Sequence, residues 1–279
     1  MKIATTNHEL EVLLSNARQL KQSIGFVPTM GALHEGHLAL IQQSKHENDL
    51  TVCSIFVNPT QFNDANDLAK YPRTEEMDAK KLASVNCDIL YLPSVAEVYP
   101  SDWVSPHFDF GHLDSIMEGK MRPGHFKGMA QVVYRLLYLV RPSRLYMGQK
   151  DLQQFTIIKH LQEQFNLGFE LVCAPIVREA DGLAMSSRNI RLNPSERSTA
   201  PVIYQTLKAA LNNQFSSIES YLNFANNKLK EAGLLVEYIQ VVDRNTLLEI
   251  TDWKQSNHKA ICVAAQLGPI RLIDNIFID

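Results

Sequence analysis

The sequence is poor in cysteine, and its cysteines are not paired. Cys53, Cys87, Cys173 and Cys262 are the only four among 279 residues, and they stand far apart in apolar stretches. A disulfide framework needs several cysteines and a cysteine zinc site needs Cys-x-x-Cys pairs, so neither is indicated. We expect four buried free thiols.

Long apolar runs are absent as well. The most apolar stretch, residues 129–140, is interrupted by Gln131 and Arg135, whereas a membrane-spanning helix needs about 20 mainly apolar residues. The first eight residues, MKIATTNH, contain no apolar segment of a secretion signal. These absences predict no membrane partner and a reducing, cytoplasmic location.

Charge of one sign is not in excess. The 27 Lys and Arg residues nearly balance the 30 Asp and Glu residues, which leaves a net charge of −3. Nucleic-acid-binding domains usually carry a clear basic excess, so no nucleic-acid partner is expected, although local basic sites remain open. The hydrophobic content of 45% is ordinary for a folded chain, and the length suits one large domain or two ordinary ones.

Short apolar runs alternate with amphipathic stretches over the first two-thirds of the chain. This alternation predicts helices that cross between parallel strands, as in an α/β, Rossmann-like domain. The first helix should begin at a capping box formed by Thr6 and Glu9. Predicted strands cover residues 24–27, 50–57, 87–92, 144–147 and 169–174, and predicted helices cover 6–22, a stretch from 37, 74–84, 129–140 and a stretch from 151.

The pattern changes after Arg178. The tetrapeptide Asn193-Pro194-Ser195-Glu196 has the features of a helix start, namely a capping side chain, an early proline and an acidic first turn. A further helix is predicted at residues 218–232. Strands at 236–242, 260–266 and 270–278, with no long helix between them, predict a small antiparallel sheet in a smaller α+β C-terminal domain.

The segment from Val27 to His37, VPTMGALHEGH, holds the densest chemical signal. A strand ends there, a turn with glycine follows, and a helix begins. The main-chain N–H groups and the dipole at a helix N-terminus suit a phosphate group. His34 and His37 share one helix face if both lie in the first turn, where they could hold a phosphoryl group together.

Two other interpretations of this histidine pair stay open from the residues alone. Histidines at this spacing are commonly surface residues or helix-end hydrogen-bonding groups. A zinc protease would need the spacing His-Glu-x-x-His, which this segment lacks. The glycines and the preceding buried strand favour phosphate chemistry.

Six blocks spread over nearly the whole chain carry a family resemblance. They are HEGH at 34–37, SIFVNPTQF at 54–62, YPRT at 71–74, RPGHF at 122–126, GQKDLQQ at 148–154 and READGLAMSSRN at 178–189. In this order and spacing the sequence resembles the pantothenate synthetase family, the pantoate–β-alanine ligases of the HIGH-type nucleotidyltransferase superfamily. The HxGH motif alone is shared with many adenylyltransferases, whereas PTQF and DGLAMSSRN together are narrow.

The resemblance implies an ATP-dependent ligase that condenses (R)-pantoate with β-alanine, giving (R)-pantothenate, AMP and diphosphate through a pantoyl adenylate. ATP is then a substrate, Mg²⁺ accompanies it, and the chain forms a homodimer with small-molecule partners. The change of pattern places a domain boundary near residues 175–180, which gives a Rossmann-like domain over residues 1–176, and the resemblance implies that this domain binds nucleotide and pantoate. A smaller domain over residues 177–279 would serve as lid and dimer contact.

The resemblance further implies roles for individual residues. The catalytic set is His37, His34, Lys150, Ser186, Ser187 and Arg188, with His37 as proton donor. The ATP-binding set is Met30, Gly31, Ala32, Leu33, His34, Glu35, Gly36, His37, Gly148, Gln149, Lys150, Asp151, Val177, Met185, Ser186, Ser187 and Arg188. Residues expected at pantoate and β-alanine are Gln61, Gln154, Asn58 and Arg122, and the candidates for Mg²⁺ are Asp78 and Asp151.

Two features of these blocks bear on the expectation. The segment 178–189, with its serines, Gly182 and two arginines, suits a mobile flap that closes over phosphates, although a polar linker between domains has the same composition. Gln149 stands where the family's GEKD block usually has Glu, which removes a negative charge beside Lys150. We expect activity to be retained, with altered local contacts to ATP or metal.

Other function classes share parts of this pattern. A nucleotidyltransferase that passes AMP to a phosphorylated acceptor would share HxGH but would not need PTQF, and its product would keep the adenylyl group. A non-catalytic binding module is disfavoured by the intact His34, His37, Lys150 and Arg188. An aminoacyl-tRNA synthetase is disfavoured by the short chain and the absence of a basic tRNA-binding domain.

Overall fold

The computed structural model describes residues 1–62, 65–212 and 215–278. The chain divides into two compact units. The first unit comprises Met1–Gly148 and Ile157–Ala174, and the second comprises Gln149–Thr156 and Pro175–Asp279. The second unit therefore includes a short segment from the middle of the chain.

The first unit is built on a six-stranded parallel sheet, which confirms the predicted Rossmann-like architecture. The order of its strands is β1-β4-β3-β2-β5-β6. The three-residue β1 was not predicted, because so short a run carries no periodic signal. The strands are β1 (Lys2–Ala4), β2 (Ile24–Thr29), β3 (Leu50–Ile55), β4 (Ile89–Tyr91), β5 (Arg144–Gly148) and β6 (Glu170–Ala174).

The strand β2 lies at the centre of this sheet, between β3 and β5. Six of its residues pair with β3 in parallel register, from Ile24 opposite Leu50 to Thr29 opposite Ile55. The next strands along the chain extend the sheet on the β3 side, whereas β5 and β6 extend it on the other side. In open parallel sheets ligands bind beyond the carboxyl ends of the strands at such a reversal, so the turn after β2 is where a site is expected.

Helix starts in the first unit follow the predicted capping signals. The side chain of Thr6 accepts a hydrogen bond from the Glu9 N–H at 3.2 Å, and the Glu9 carboxylate accepts one from the Thr6 N–H at 3.1 Å. The first helix ends three residues earlier than predicted. The helices are α1 (Asn7–Gln19), α2 (Glu35–Glu47), α3 (Ala65–Lys70), α4 (Glu75–Ser84), α5 (Val95–Val98), α6 (Met117–Met121) and α7 (His125–Val140).

Two predicted helix starts lie too late in the sequence. The helix predicted from residue 37 begins at Glu35, because His34 caps it. The helix predicted at 129–140 begins at His125, directly after Gly124, whose φ of 83° is a left-handed conformation that glycine adopts without strain. The helix predicted from residue 151 is α8 (Leu152–Gln164), which begins in the second unit and ends in the first.

The second unit contains the predicted antiparallel sheet, with strand order β7-β8-β9. Its strands are β7 (Leu235–Asp243), β8 (Lys259–Leu267) and β9 (Ile270–Ile278). The predicted cap at Asn193 is confirmed, since its side chain accepts from the Glu196 N–H at 2.9 Å. The helices here are α9 (Pro194–Thr199), α10 (Val202–Ala209) and α11 (Ile218–Glu231).

The four cysteines are free thiols. Cys53, Cys87 and Cys262 are buried as predicted, whereas Cys173 on β6 is only half-buried, so the prediction of burial is wrong for that residue. Burial raises the pKa of Cys53 well above its usual value and that of Cys87 to about 12. Among the described residues, no helix is long and apolar enough to cross a membrane.

Candidate active site

The turn after β2 has a main-chain conformation that few sequences tolerate. Gly31 has a φ of 82° and Ala32 a φ of 49°, so two consecutive residues are left-handed. A Cβ atom on Gly31 would lie 3.0 Å from Ile55 Cγ2 and 3.2 Å from the Asp78 carboxylate. Glycine is therefore required at position 31 by both conformation and space, whereas the strain at Ala32 needs partners that hold it.

Two histidines close the N-terminal end of α2. The Nδ1 atom of His34 accepts a hydrogen bond from the Gly36 N–H at 3.1 Å, and Nδ1 of His37 accepts one from the His34 N–H at 3.3 Å. The two ring centroids are 4.1 Å apart. The structure thus brings the predicted pair together in one turn. Because both Nδ1 atoms accept from main-chain donors, each ring carries its hydrogen on Nε2.

Side chains of α4 form hydrogen bonds with the main chain of this turn. Oδ2 of Asp78 accepts from the Ala32 N–H at 2.9 Å, and its Oδ1 accepts from the Leu33 N–H at 2.8 Å. The Thr74 hydroxyl also donates to Oδ2, at 3.0 Å. One turn further along α4, the Lys81 ammonium donates to the Leu33 carbonyl oxygen. These contacts hold the left-handed Ala32 in place.

The position of Asp78 bears on its predicted role as a Mg²⁺ ligand. Its side chain is buried, at 1% exposure, and both of its oxygens accept hydrogen bonds from the turn. The described residues contain no group of three or more His, Cys, Asp or Glu side chains that could hold a metal ion. In this structure, therefore, Asp78 positions the turn.

The predicted pantoate residue Gln61 is held in one orientation by Asn58. The Asn58 Nδ2 donates to Gln61 Oε1 at 3.1 Å and to the Gly128 carbonyl oxygen at 3.1 Å. Since its carbonyl oxygen is engaged, the amide NH₂ of Gln61 points toward Met30, and Nε2 lies 2.8 Å from the Met30 sulfur. Gln61 therefore acts as a hydrogen-bond donor, where the sequence allowed either role.

Asn58 is itself fixed by further partners. Its Oδ1 accepts from the Tyr99 hydroxyl at 3.0 Å and from the Thr60 hydroxyl at 3.0 Å. The side chain is fully buried, at 0% exposure. Burial raises the pKa of Tyr99, so its hydroxyl stays protonated and remains a donor. The structure thus makes Asn58 a support for Gln61, and a direct contact with pantoate stays a prediction.

A close approach of main chains fixes the turn that carries Gln61. A Cβ atom on Gly128 in α7 would lie 2.1 Å from the Thr60 carbonyl oxygen, which no real Cβ could do. Thr60 and Gln61 belong to a short 3₁₀ turn, Pro59–Gln61. The absence of a side chain at position 128 therefore lets α7 contact this turn directly.

His125 is a site residue to which sequence reasoning gave no role. Its Nδ1 lies 2.8 Å from the Gln61 carbonyl oxygen, and because a carbonyl only accepts, that nitrogen carries a hydrogen. Its main-chain N–H donates to the Arg122 carbonyl oxygen at 3.0 Å. The predicted Arg122 is therefore joined to Gln61 through His125, and its guanidinium lies 3.8 Å from Glu118. The sequence did contain a signal for His125, because this residue is the histidine of the RPGHF block.

A cavity of about 230 Å³ opens beside the turn after β2, within the first unit. Its lining includes Met30 and Gly31 from the turn, Phe56 beyond β3, and Arg73 and Asp78 from the segment around α4. Pockets for drug-sized ligands hold roughly 300–1,000 Å³, so this cavity suits a small molecule.

Within the second unit, the predicted residues Gln149, Lys150 and Asp151 form a single 3₁₀ turn ahead of α8. The Lys150 ammonium and the Asp151 carboxylate are 3.8 Å apart. Gln149 does not face Lys150, because its Nε2 donates to Oδ1 of Asn275 at 3.0 Å. The predicted Gln154 follows on α8 and is half-buried, and Gly148 is the last residue of β5 in the first unit.

The segment 178–189 begins with a short hairpin. Arg178 and Ala184 form an antiparallel bridge, and the Met185 N–H donates to the Val177 carbonyl oxygen at 3.0 Å. The Arg178 guanidinium donates to both carboxylate oxygens of Asp274, at 2.6 and 3.0 Å. The Arg178 side chain is therefore paired within the unit and only 17% exposed, and the role of this segment as a mobile flap over phosphates stays a prediction.

The residues that follow the hairpin are the predicted Ser186, Ser187 and Arg188. The Ser186 hydroxyl accepts from the Arg188 N–H at 3.3 Å, and the Ser186 carbonyl oxygen accepts from the Asn189 N–H at 3.0 Å. All three predicted residues are half-buried. Their contacts with ATP, and any motion of the hairpin, stay predictions.

Comparison with known sequences gives matches over the whole chain. The sequence model of the family described as Pantoate-beta-alanine ligase matches residues 2–277. A pantothenate synthetase from Azobacteroides pseudotrichonymphae is 48% identical over 279 residues, covering 99% of both chains. One from Bacteroides fragilis is 44% identical over 278 residues, covering 99% of this chain and 98% of the relative.

Comparison with solved structures agrees. The crystal structure of pantothenate synthetase from Thermus thermophilus is similar with a TM-score of 0.93, at 39% identity and 99% coverage of both chains. The pantoate-beta-alanine ligase from Francisella tularensis, complexed with beta-gamma ATP and beta-alanine, is similar with a TM-score of 0.83 at 38% identity. That alignment covers 99% of this chain and 97% of the other.

Proposed function

The chain belongs to the pantoate-beta-alanine ligase family, and from this premise we propose that it joins (R)-pantoate to β-alanine with ATP as the activating substrate. The products are (R)-pantothenate, AMP and diphosphate. The observation that carries the proposal is the histidine pair His34 and His37 just beyond the carboxyl end of β2, in which each ring carries its hydrogen on Nε2.

The reaction is proposed to proceed in two displacements. A carboxylate oxygen of pantoate first bonds to the α-phosphorus of ATP, the bond from that phosphorus to the bridging oxygen breaks, and diphosphate leaves. The amine nitrogen of β-alanine then bonds to the acyl carbon, the acyl C–O bond breaks, and AMP leaves with that oxygen while the amine gives a proton to water. Adenylation supplies the leaving group that a free carboxylate lacks.

The histidine pair is proposed to stabilise the first displacement. Negative charge grows on the departing diphosphate, and preorganised N–H donors stabilise such charge without having to reorient. Main-chain hydrogen bonds to Nδ1 hold both rings in the tautomer that has Nε2–H as donor, and Asp78 fixes the turn that precedes them. His37 is proposed as the proton donor of the pair.

Gln61 is proposed to recognise pantoate as a donor. Its NH₂ group suits a carboxylate or hydroxyl oxygen, and Asn58 binds the oxygen end of the amide, so that the NH₂ end is the donor. The small cavity beside Met30 and Gly31 is consistent with a small organic acid as ligand. Gln154, Asn58 and Arg122 are proposed to complete the contacts to pantoate and β-alanine.

Two cations and two hydroxyl groups are proposed as further contacts to the phosphates of ATP. Lys150 and Arg188 are cations suited to phosphate oxygens, and Ser186 and Ser187 add hydroxyl donors. The other proposed ATP contacts are Met30, Gly31, Ala32, Leu33, Glu35, Gly36, Gly148, Gln149, Asp151, Val177 and Met185.

Mg²⁺ is proposed to enter with the nucleotide. Asp78 already holds the turn, and the described residues offer no cluster for a resident ion. Mg²⁺ keeps several waters and is commonly bound by substrate phosphates with one or two carboxylates, so the half-exposed Asp151 is the remaining candidate. A homodimer, and a lid and dimer role for residues 177–279, are proposed on the resemblance alone, and a cytoplasmic location is proposed on the unpaired cysteines.

The test is the stoichiometry of the complete reaction. The purified chain, with pantoate, β-alanine and Mg-ATP, should release one AMP and one diphosphate for each pantothenate formed, and omission of pantoate should abolish AMP release. Formation of ADP and phosphate, or an adenylyl group retained in the final product, would overturn the proposal.

A further inference from the structure

Two consecutive residues of β9, Asp274 and Asn275, are buried polar groups that face two different segments of the second unit. Asp274 is 4% exposed and Asn275 is 2% exposed. Buried polar side chains in a strand need partners, because an unsatisfied one destabilises the fold. Their partners are the segments that carry the proposed phosphate-binding residues of this unit.

Asn275 holds the 3₁₀ turn that contains Lys150. Its Nδ2 donates to the carbonyl oxygens of Gln149 and Lys150, at 2.9 and 3.1 Å. Its Oδ1 accepts from the Gln149 side chain at 3.0 Å. One amide side chain therefore holds two successive peptide groups through its nitrogen and the Gln149 side chain through its oxygen, which determines where the Lys150 side chain begins.

Asp274 holds the hairpin that leads to Ser186, Ser187 and Arg188. The Arg178 guanidinium binds its carboxylate through two nitrogens, a geometry that fixes orientation as well as distance. The same guanidinium donates to the carbonyl oxygens of Gly182 and Asn275, at 3.1 and 3.2 Å. Arg178 therefore ties the hairpin to β9 and also binds the hairpin's own turn at Gly182.

The hairpin is packed tightly around this ion pair. The Arg178 guanidinium carbon lies 3.8 Å from the centroid of the Tyr204 ring, and a Cβ atom on Gly182 would lie 2.4 Å from the same ring. Burial raises the pKa of the Asp274 carboxyl, and the paired guanidinium opposes that shift. Removing either partner would leave a buried charge without compensation.

We propose that Asp274 and Asn275 are positioning residues for ATP: Asn275 fixes the turn that carries Lys150, and Asp274, through Arg178, fixes the hairpin that carries Ser186 to Arg188. The inference rests on the proposed function, because that function assigns those residues to ATP. It adds that two consecutive residues, distant in sequence from both segments, fix the positions of both segments. Neither residue needs to touch the nucleotide.

The test compares Asp274→Asn and Asn275→Ala with the control Asp243→Asn. Asp243 lies on β7 of the same sheet, where it accepts hydrogen bonds from Asn245, Thr246 and Ser256, away from both segments. Each variant is measured for melting temperature, for KM of ATP, pantoate and β-alanine, and for the equilibrium Kd of α,β-methylene-ATP.

The inference predicts a selective loss. Asp274→Asn and Asn275→Ala should each raise KM for ATP and Kd of the analogue about tenfold or more, the effect of one lost hydrogen bond to a charged or buried group. KM for β-alanine should change less than about twofold. Asp243→Asn should lower the melting temperature without moving either ATP parameter. If KM for ATP and Kd of the analogue are the same in Asp274→Asn and Asn275→Ala as in Asp243→Asn, the inference is overturned.

Two further comparisons cover the cases in which a variant does not fold or the wild-type chain is inactive. If Asp274→Asn fails to fold, Arg178→Lys replaces it, since lysine retains the charge but loses the two-nitrogen contact; it should raise Kd of the analogue, and an unchanged Kd would overturn the inference. If the wild-type chain binds the analogue but forms no pantothenate, the proposed function fails while the Kd comparison still decides the positioning role.

Discussion

The main-chain N–H of His34 donates to Nδ1 of His37, and the His34 ring in turn accepts from the Gly36 N–H. Each histidine therefore caps α2 and is held by it in a single tautomer. The interpretation of this pair as a helix-end hydrogen-bonding group and its interpretation as a phosphate site do not compete. The capping contacts are what orient Nε2–H.

Replacing His34 by asparagine separates these two roles. Asparagine is a favoured N-cap residue, so its Oδ1 should replace Nδ1 and keep the stability of His34→Asn within about 0.5 kcal/mol of wild type. The Nε2–H donor is lost, and removal of one preorganised donor typically costs about 10²–10³ in kcat. Exchange between labelled diphosphate and ATP in the presence of pantoate measures the first step. Wild-type exchange in the variant would remove His34 from the chemistry, and His46→Ala at the exposed end of α2 serves as control.

Replacing Asp78 by asparagine tests the turn. One carboxylate oxygen becomes an NH₂ group that faces the Ala32 or Leu33 N–H, so Asp78→Asn should lose about 2 kcal/mol of stability and most of its adenylation rate. Denaturant unfolding and diphosphate exchange give the two values. Raising the Mg²⁺ concentration should not restore the rate. Recovery at high Mg²⁺ would show instead that Asp78 is a metal ligand.

The hydroxyl of Tyr99 is predicted to act on pantoate through Asn58 and Gln61. Loss of one hydrogen bond of about 1 kcal/mol should raise KM for pantoate roughly fivefold in Tyr99→Phe, with KM for ATP unchanged. Tyr91→Phe is the matched control, because the Tyr91 hydroxyl also donates to an asparagine side chain, that of Asn7 at 2.6 Å, away from Gln61. Equal KM for pantoate in the two variants would contradict the chain of contacts.

Gly128 should tolerate no side chain although it lies within a helix. Alanine favours a helix by about 1 kcal/mol over glycine, but the added Cβ would lie 2.1 Å from the Thr60 carbonyl oxygen, and overpacking against main chain costs about 1–3 kcal/mol or more. The clash dominates, so Gly128→Ala should lower stability and raise KM for pantoate. Gly168→Ala, where nothing lies within 4 Å, should do neither. Matching melting temperatures for the two variants would count against this account.

The sequence predicts most of the fold, because strands such as β3 and capped helices such as α1 carry their signals locally. It also predicts that His34 and His37 meet, since their spacing places them in one turn. It did not predict that Asp78 supports Ala32 and Leu33. That contact joins residues 45 and 46 positions apart, and no local pattern records it.

The same limit applies to the donor role of Gln61 and to Asp274. A glutamine can donate or accept, and only the hydrogen bond from Asn58 to its oxygen decides that its NH₂ end faces Met30. Arg178 looked like part of a polar flap because its partner Asp274 is 96 residues away. Composition gives the chemistry of such groups, whereas their partners depend on the tertiary fold.

The central claim is that the carboxylate of pantoate attacks the α-phosphorus of ATP. It is tested most directly with pantoate labelled with ¹⁸O in both carboxylate oxygens, followed by mass spectrometry of the AMP formed with β-alanine. The account predicts one ¹⁸O in each AMP and one in the amide of pantothenate, because the acyl C–O bond breaks in the second step. AMP without ¹⁸O, with both labels kept outside the nucleotide, would contradict it.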